Sequence, residues 1–146
     1  MSVGVRISAT DWVDGGWDIE QSVAFAQELK KRGVHFIHVS SGGVSPLQKI
    51  PVGPGYQVEF AARIRGETGL PTLAVGMITE PAQAESIIAD GQADMVAMAR
   101  GMLYNPRWPW HAAAELGGMV EAPQQYWRSQ PSQYKQLFGA TRTGQR

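Results

Sequence analysis

Short apolar runs of strand length alternate with helix-like segments along most of this 146-residue chain. Four such runs are present, and they begin at Val3, Val34, Leu73 and Ala93. Between them, apolar residues recur at helical spacing, so the chain consists of four consecutive strand–helix units. This alternation predicts parallel strands joined by helical crossovers, and therefore an α/β fold.

Capping residues define the predicted helices. Asp18 is placed to cap a helix over residues 19–32, which Gly33 ends. Thr79 and Pro81 are typical of the first turn of another helix. Further helices are expected over residues 56–67 and 108–116. A long loop rich in glycine and proline, residues 44–55, separates the second strand from its helix, and loops of this length are often functional.

Two architectures fit four such units, an open doubly wound sheet and part of a (β/α)₈ barrel. A complete barrel needs about 250 residues, so four units form half of one. No Gly-x-Gly-x-x-Gly motif follows the first strand, and Arg6 lies in the middle of that strand. An open sheet covered on both faces would bury this charge, whereas a barrel arginine can reach the ligand. We therefore favour an α/β fold of the (β/α)₈ TIM-barrel type, with a half-barrel domain over residues 1–119. Residues 120–146 are expected to form a tail whose end is poorly ordered.

Charge and composition exclude several classes of function. The 13 basic and 13 acidic residues balance, and no basic block is present, so nucleic acid is not an expected partner. No apolar run is long enough to span a bilayer, and the first residues lack the layout of a secretory signal. Cysteine is absent, which excludes disulfides, thiolate metal sites and a cysteine nucleophile. We expect a cytoplasmic protein without a metal site.

The residues at the predicted strand ends suggest a phosphate ligand. In parallel α/β folds, ligands bind at the carboxyl ends of the strands. There the backbone of Gly76 and Met77 and the guanidinium of Arg100 could converge on a phosphate. An ordinary strand–helix–strand unit with a surface arginine fits the spacing equally well. Other residues collected at these ends are Arg6, Ser8, Ser40, Ser41, Gly42, Thr79, Ala99 and Gly101.

Five motifs, in order and at matching spacing, resemble the old yellow enzyme family. They are Arg6-Ile-Ser-Ala-Thr-Asp-Trp12, His38-Val-Ser-Ser-Gly-Gly43, Pro54-Gly-Tyr-Gln-Val58, Ala74-Val-Gly-Met-Ile-Thr79 and Ala99-Arg-Gly-Met-Leu-Tyr-Asn-Pro106. The likeness is greatest to the bacterial thermophilic-like ene-reductases and xenobiotic reductases, and it covers about residues 3–128. It implies strands five to eight of a barrel that binds FMN and takes hydride from NADPH or NADH. The implied substrates are small enones or xenobiotics with an activated C=C bond.

The resemblance also implies roles for individual residues. Arg6 matches the arginine beside the N1 and O2 edge of the flavin, and Ser40 and Ser41 fall near the ribityl chain. The matches to the phosphate site are Gly76, Met77, Ala99 and Arg100. Ala99 stands where relatives often have glycine. In Gln125-Tyr-Trp-Arg128, Arg128 resembles the arginine that this branch inserts into the active site of a neighbouring subunit, with Tyr126 or Trp127 beside it.

The family's substrate-anchoring histidine pair, proton-donating tyrosine and flavin-tuning residue come from the first half of the barrel, and no histidine here matches them. His35, His38 and His111 are expected to be core or surface residues. Three hypotheses follow. The chain is a fragment or split-gene product of a flavin oxidoreductase, a non-catalytic half-barrel that binds FMN or another phosphate, or a fragment that folds only by association. We expect a homo-oligomer, dimer or tetramer, or association with a first-half chain.

Overall fold

The computed structural model describes residues 1–139, so the predicted poorly ordered end of the tail lies outside the described residues. Four strands are present in this part of the chain: β1 (Gly4–Ser8), β2 (Phe36–Ser40), β3 (Thr72–Ala74) and β4 (Met95–Val96). The helices are α1 (Ile19–Lys31), α2 (Val58–Thr68), α3 (Pro81–Ala89), α4 (Arg100–Tyr104) and α5 (Trp108–Glu115), followed by a 3₁₀ helix at Gln124–Ser129.

All four strands are parallel, and their order in the sheet is the order of the chain, β1-β2-β3-β4. A doubly wound sheet reverses its direction of growth at a switch point, and this sheet has none between β1 and β4. Continuous winding in one direction is the pattern of a (β/α)₈ barrel. The topology therefore favours the barrel alternative.

One face of this sheet, which we call the covered face, consists of Ile37, Val39, Thr72 and Ala74. These four side chains have no exposed surface. Helix α2 packs on β2 and β3, and α1 packs on α2. The helices contribute buried apolar residues on their inner sides, among them Val23, Ala26, Phe60, Ala61 and Ile64. This layer is the core of the sheet.

The opposite face, which we call the open face, carries Arg6, His38, Leu73 and Met95 side by side in register. Alternation along each strand places these residues opposite the covered face. Arg6 is exposed, His38 and Leu73 are partly exposed, and Met95 is 42% exposed. In a closed barrel this face would line the interior.

The element boundaries agree best with the sequence where a local signal exists. Helix α1 begins after Asp18, whose side chain accepts a hydrogen bond from the N–H of Gln21, while the Gln21 side chain caps Asp18 in return. The short helix α4 is not predicted, because the sequence indicates a loop after the strand that begins at Ala93. That strand is only Met95–Val96.

Contacts divide the chain into two compact units. The first contains residues 1–79 and 83–98, and with them the whole sheet. The second contains residues 80–82 and 99–139 of the described chain, and its small core consists of Ala122, Leu137 and Phe138 with Trp110 and Trp127 packed against them. No helix among residues 1–139 is both long and apolar enough to cross a bilayer.

Candidate functional site

Arg6 in the middle of β1 and Ser40 at the end of β2 lie close together. The Nη2 atom of Arg6 lies 3.4 Å from the Oγ atom of Ser40, and Ser8 lies opposite Ser40 in the register. Within residues 1–139, Arg6 has no carboxylate partner. An exposed guanidinium without a counter-ion can bind an anion or an electron-rich ring edge.

His38 is the neighbour of Arg6 on the open face. Its Nε2 atom is buried and has no hydrogen-bond partner within the described residues. Burial lowers the pKa of His38 below its usual value, and the positive charge of Arg6 lowers it further. Both effects favour the neutral imidazole.

Ser41 is held by a network that links three loops. The indole Nε1 of Trp12 donates to its Oγ atom at 2.9 Å, and that hydroxyl donates to Oε1 of Gln57 at 2.6 Å. The Nε2 atom of Gln57 donates to the carbonyl of Val75 at 3.0 Å. Gln57 is only 3% exposed. A single buried amide therefore connects the chain segments that follow β1, β2 and β3.

The loop after β3 has three consecutive anchored carbonyls. Besides Val75, the carbonyl of Gly76 accepts from the N–H of Gly55 at 2.9 Å. The carbonyl of Met77 accepts from Nε2 of Gln83 at 3.2 Å, and Oε1 of Gln83 accepts from the N–H of Thr79. The loop is held by side chains and backbone of its neighbours rather than by regular secondary structure.

The N–H groups of Gly76, Met77 and Ile78, which we call the donor array, donate to no acceptor within residues 1–139. Gly76 has φ +120°, and a Cβ there would lie 2.6 Å from Nε2 of Gln57. Only glycine suits this position, because of both its conformation and the close approach of Gln57. Met77 also has a positive φ, of 49°. Three successive unpaired N–H groups are a suitable binding surface for an anion.

Ala99 and Arg100 belong to the second unit. Ala99 occupies the N-cap position of α4, where its side chain makes no capping hydrogen bond. Arg100 is the first residue of that helix. The sequence interpretation had placed Arg100 in a loop after the fourth strand. Its guanidinium is exposed and is in no ion pair within the described chain.

Arg128 is exposed in the 3₁₀ helix, and its side chain has no partner among residues 1–139. Its neighbours are held within the second unit instead. The guanidinium carbon of Arg107 lies 3.9 Å from the ring centre of Tyr126 and 4.4 Å from that of Trp110. The indole Nε1 of Trp127 donates to the carbonyl of Ala122. Arg128 is thus an exposed residue of this motif whose guanidinium is free to contact another molecule.

Sequence reasoning missed Trp12, Gln57 and Gln83. Trp12 and Gln57 lie inside two of the recognised motifs, but no pattern of spacing assigns a role to a tryptophan or a glutamine. One signal was available for Gln57. Gln57 is a polar residue between Tyr56 and Val58 at the start of a predicted helix. If such a side chain is buried, its amide needs a hydrogen-bond partner.

Comparison with known proteins identifies relatives of most of the chain. A family model described as NADH:flavin oxidoreductase / NADH oxidase matches residues 1–117. An NADPH dehydrogenase of Geobacillus thermodenitrificans is 49% identical over 124 residues, which cover 85% of this chain and 36% of the relative. One from Halalkalibacterium halodurans is 46% identical over 125 residues, covering 86% and 37%. The chain thus spans little more than a third of the length of these relatives.

Solved structures support the fold. A 2-naphthoyl-CoA reductase in complex with 2-naphthoyl-CoA matches with a TM-score of 0.63 at 22% identity, over 77% of this chain and 18% of that one. A dihydropteroate synthase of Xanthomonas albilineans matches with a TM-score of 0.51 at 17% identity, over 93% and 58%. Both are TIM-barrel enzymes, and this chain matches part of each. The predicted fold class, consecutive units of a (β/α)₈ barrel, is confirmed.

Proposed function

The chain belongs to the NADH:flavin oxidoreductase / NADH oxidase family, and from this premise we propose that it supplies the phosphate-binding part of an FMN-dependent oxidoreductase. Bound FMN would accept hydride from NADPH or NADH and reduce the activated C=C bond of a small enone or xenobiotic. This activity is proposed for the assembled barrel, since the chain spans about a third of its relatives' length.

The donor array carries the proposal, because its chemistry fits the FMN phosphate. A phosphate accepts hydrogen bonds from backbone N–H groups, and such charge-assisted bonds contribute about 1.5–3 kcal/mol each. Gly76 and Met77 would provide two of them, together with Ile78. We assign the guanidinium of Arg100 as a further phosphate ligand. The backbone of Ala99 would also contact the cofactor there.

Arg6, Ser40 and Ser41 fit the remaining part of FMN. Arg6 would lie at the electron-rich edge of the flavin, where a cation stabilises negative charge in the reduced ring. The hydroxyl of Ser41 already donates to Gln57 at 2.6 Å, whereas the contact from Ser40 to the same oxygen is 3.5 Å. Ser40 is therefore the better candidate to bind a ribityl hydroxyl, and Ser41 keeps the loop in place.

We propose that turnover requires a second barrel half, supplied by a first-half chain or by the rest of the parent protein. The open face supports this, because Met95 and Arg6 are exposed on a sheet face that a closed barrel would bury. Strands β1 and β4 also offer unpaired edges. We further propose that the chain, in a dimer or tetramer, projects Arg128 into a neighbouring active site from a tail that begins at residue 120.

Replacement of Arg100 tests the phosphate assignment. Arg100→Ala should weaken FMN binding about ten- to a hundredfold. Binding of riboflavin, which lacks the phosphate, should change little. Fluorescence titration of both ligands measures this difference. Arg32→Ala is the matched control, because Arg32 is exposed and pairs with Glu28. Equal losses for FMN and riboflavin would show that Arg100 does not bind the phosphate.

A non-catalytic FMN-binding module is the second candidate, since the proposed phosphate ligands lie in this chain whereas the resemblance assigns the proton donor to the first half of the barrel. NADPH oxidation in the presence of cyclohexenone distinguishes the two. The purified 146-residue chain should show no turnover by itself. FMN-dependent reduction of the enone by this chain alone would contradict the need for a second barrel half.

A further inference from the structure

Hydrogen bonds to the neighbouring carbonyls determine how the N–H groups of the donor array are oriented. The carbonyl of one residue and the N–H of the next belong to the same planar peptide, and in the trans form they point in opposite directions. The anchored carbonyls of Val75, Gly76 and Met77 are therefore the other ends of the peptides whose N–H groups form the donor array. Each anchor that holds a carbonyl also aims one N–H group away from itself.

We propose that Gln57 and Gln83 are positioning residues that preorganise the donor array for a phosphate group, an inference that rests on the proposed function. Gln57 holds the Val75 carbonyl at 3.0 Å and thereby orients the N–H of Gly76. Gln83 holds the Met77 carbonyl at 3.2 Å and orients the N–H of Ile78. The backbone N–H of Gly55 fixes the peptide between them. All of these residues belong to the first unit.

Two further contacts make these glutamines specific anchors rather than general packing. The Oε1 atom of Gln57 accepts a hydrogen bond from Ser41, so its amide cannot rotate without losing this partly buried bond. The Oε1 atom of Gln83 accepts from the N–H of Thr79, which fixes its orientation in the same way. The donors of both amides are thereby directed at the loop carbonyls. Binding of an anion would then require little further ordering of the loop.

The test replaces each anchor with an apolar side chain of similar size, as Gln57→Leu and Gln83→Leu. Gln27→Leu, at an exposed position of α1, is the matched control. Backbone ¹⁵N relaxation of the ligand-free chain measures the order of residues 76–78. Order parameters should fall from about 0.85 towards 0.6 or below in both anchor variants. They should be unchanged in the strands and in the control.

Ligand titration provides the second measurement. Each anchor variant should bind FMN about three- to tenfold more weakly, because the ordering of the loop is then required on binding. Riboflavin affinity should change less than about twofold. If Gln57→Leu does not fold, Gln83→Leu decides the matter, since Gln83 is partly exposed.

Undiminished order at residues 76–78 in the folded variants would overturn the positioning role, as would equal losses for FMN and riboflavin. Failure of the proposed function has a different signature. The wild-type chain would then bind FMN no more tightly than riboflavin, while relaxation of the ligand-free chain would still decide whether the glutamines order the loop.

Discussion

The two faces of the sheet have the same backbone and the same strand pairing, but they differ in what covers them. The covered face consists of side chains with no exposed surface, and α2 packs on its strands β2 and β3. The open face carries a cation, an imidazole and two apolar side chains that remain partly exposed. The covered face thus has the properties of a finished core, whereas the open face has those of a surface built for a ligand or a second barrel half.

The largest expected difference concerns packing. Ile37→Ala on the covered face should lower the free energy of unfolding by about 2–5 kcal/mol, because it leaves a cavity in a layer without solvent access. Met95→Ala on the open face should cost about 1 kcal/mol or less, since that side chain is already 42% exposed. Urea unfolding measures both. Similar losses at the two positions would mean that the open face is packed in solution, for instance by self-association.

A smaller difference is expected for two serines with similar hydrogen bonds. Ser22, 1% exposed, donates to the carbonyl of Ala9 at 2.8 Å and accepts from the indole of Trp17 at 2.6 Å. Ser22→Ala should cost about 1–3 kcal/mol, because it leaves buried polar groups unpaired.

Ser8, on the open face of β1, supplies the matched variant to Ser22 of α1. Its hydroxyl donates to the carbonyl of Gly42 at 2.9 Å and is partly exposed. Ser8→Ala should cost about 0.5–1 kcal/mol, since water can replace the lost partner. Thermal or urea unfolding of the two variants gives the comparison. A larger loss at Ser8 than at Ser22 would contradict the deeper burial of the Ser22 hydroxyl.

The smallest expected effect is a change in the pKa of His38, which lies on the open face. Burial is the main cause of the lowered pKa of His38, and Arg6 adds to it. Arg6→Gln should therefore raise this pKa only part of the way to its ordinary value. The imidazole C–H resonances of His38 report this change in an NMR titration.

The same shift has a consequence for stability. The folded protein favours neutral His38, so the unfolded chain binds a proton more readily below about pH 6.5. The contribution of His38 to stability is present above that pH and is lost as the pH falls towards its lower folded value. His38→Gln should flatten this part of the pH dependence. An unchanged pH profile in His38→Gln would show that another group titrates there.

Local signals explain which elements were predictable. The cap at Asp18 and the stop at Gly33 lie within a few residues of the boundary they set, and α1 ends at Lys31, close to the predicted position. The short β4 and the helix α4 lacked such signals. The run from Ala93 to Ala99 is apolar apart from Asp94 and suits a strand or a helix, so its secondary structure depends on its tertiary contacts.

Some parts of the candidate site could be predicted from the sequence and others could not. Arg6, Gly76 and Arg100 could be chosen from residue type and strand-end position. The donor array could not be predicted, because it depends on which carbonyls Gln57, Gly55 and Gln83 reach across 6 to 21 positions of the sequence.

The sequence by itself determined the order of the strand–helix units and the parallel direction of the strands, since crossovers between consecutive strands leave few arrangements, whereas the order of the strands in the sheet came from the structure. It also determined the family, through five motifs whose order and spacing are contained in the chain. Only the tertiary structure decided which sheet face is covered and which N–H groups remain unpaired. Those properties arise from contacts between residues far apart in the chain, and the free energy of such contacts is not encoded in any local pattern.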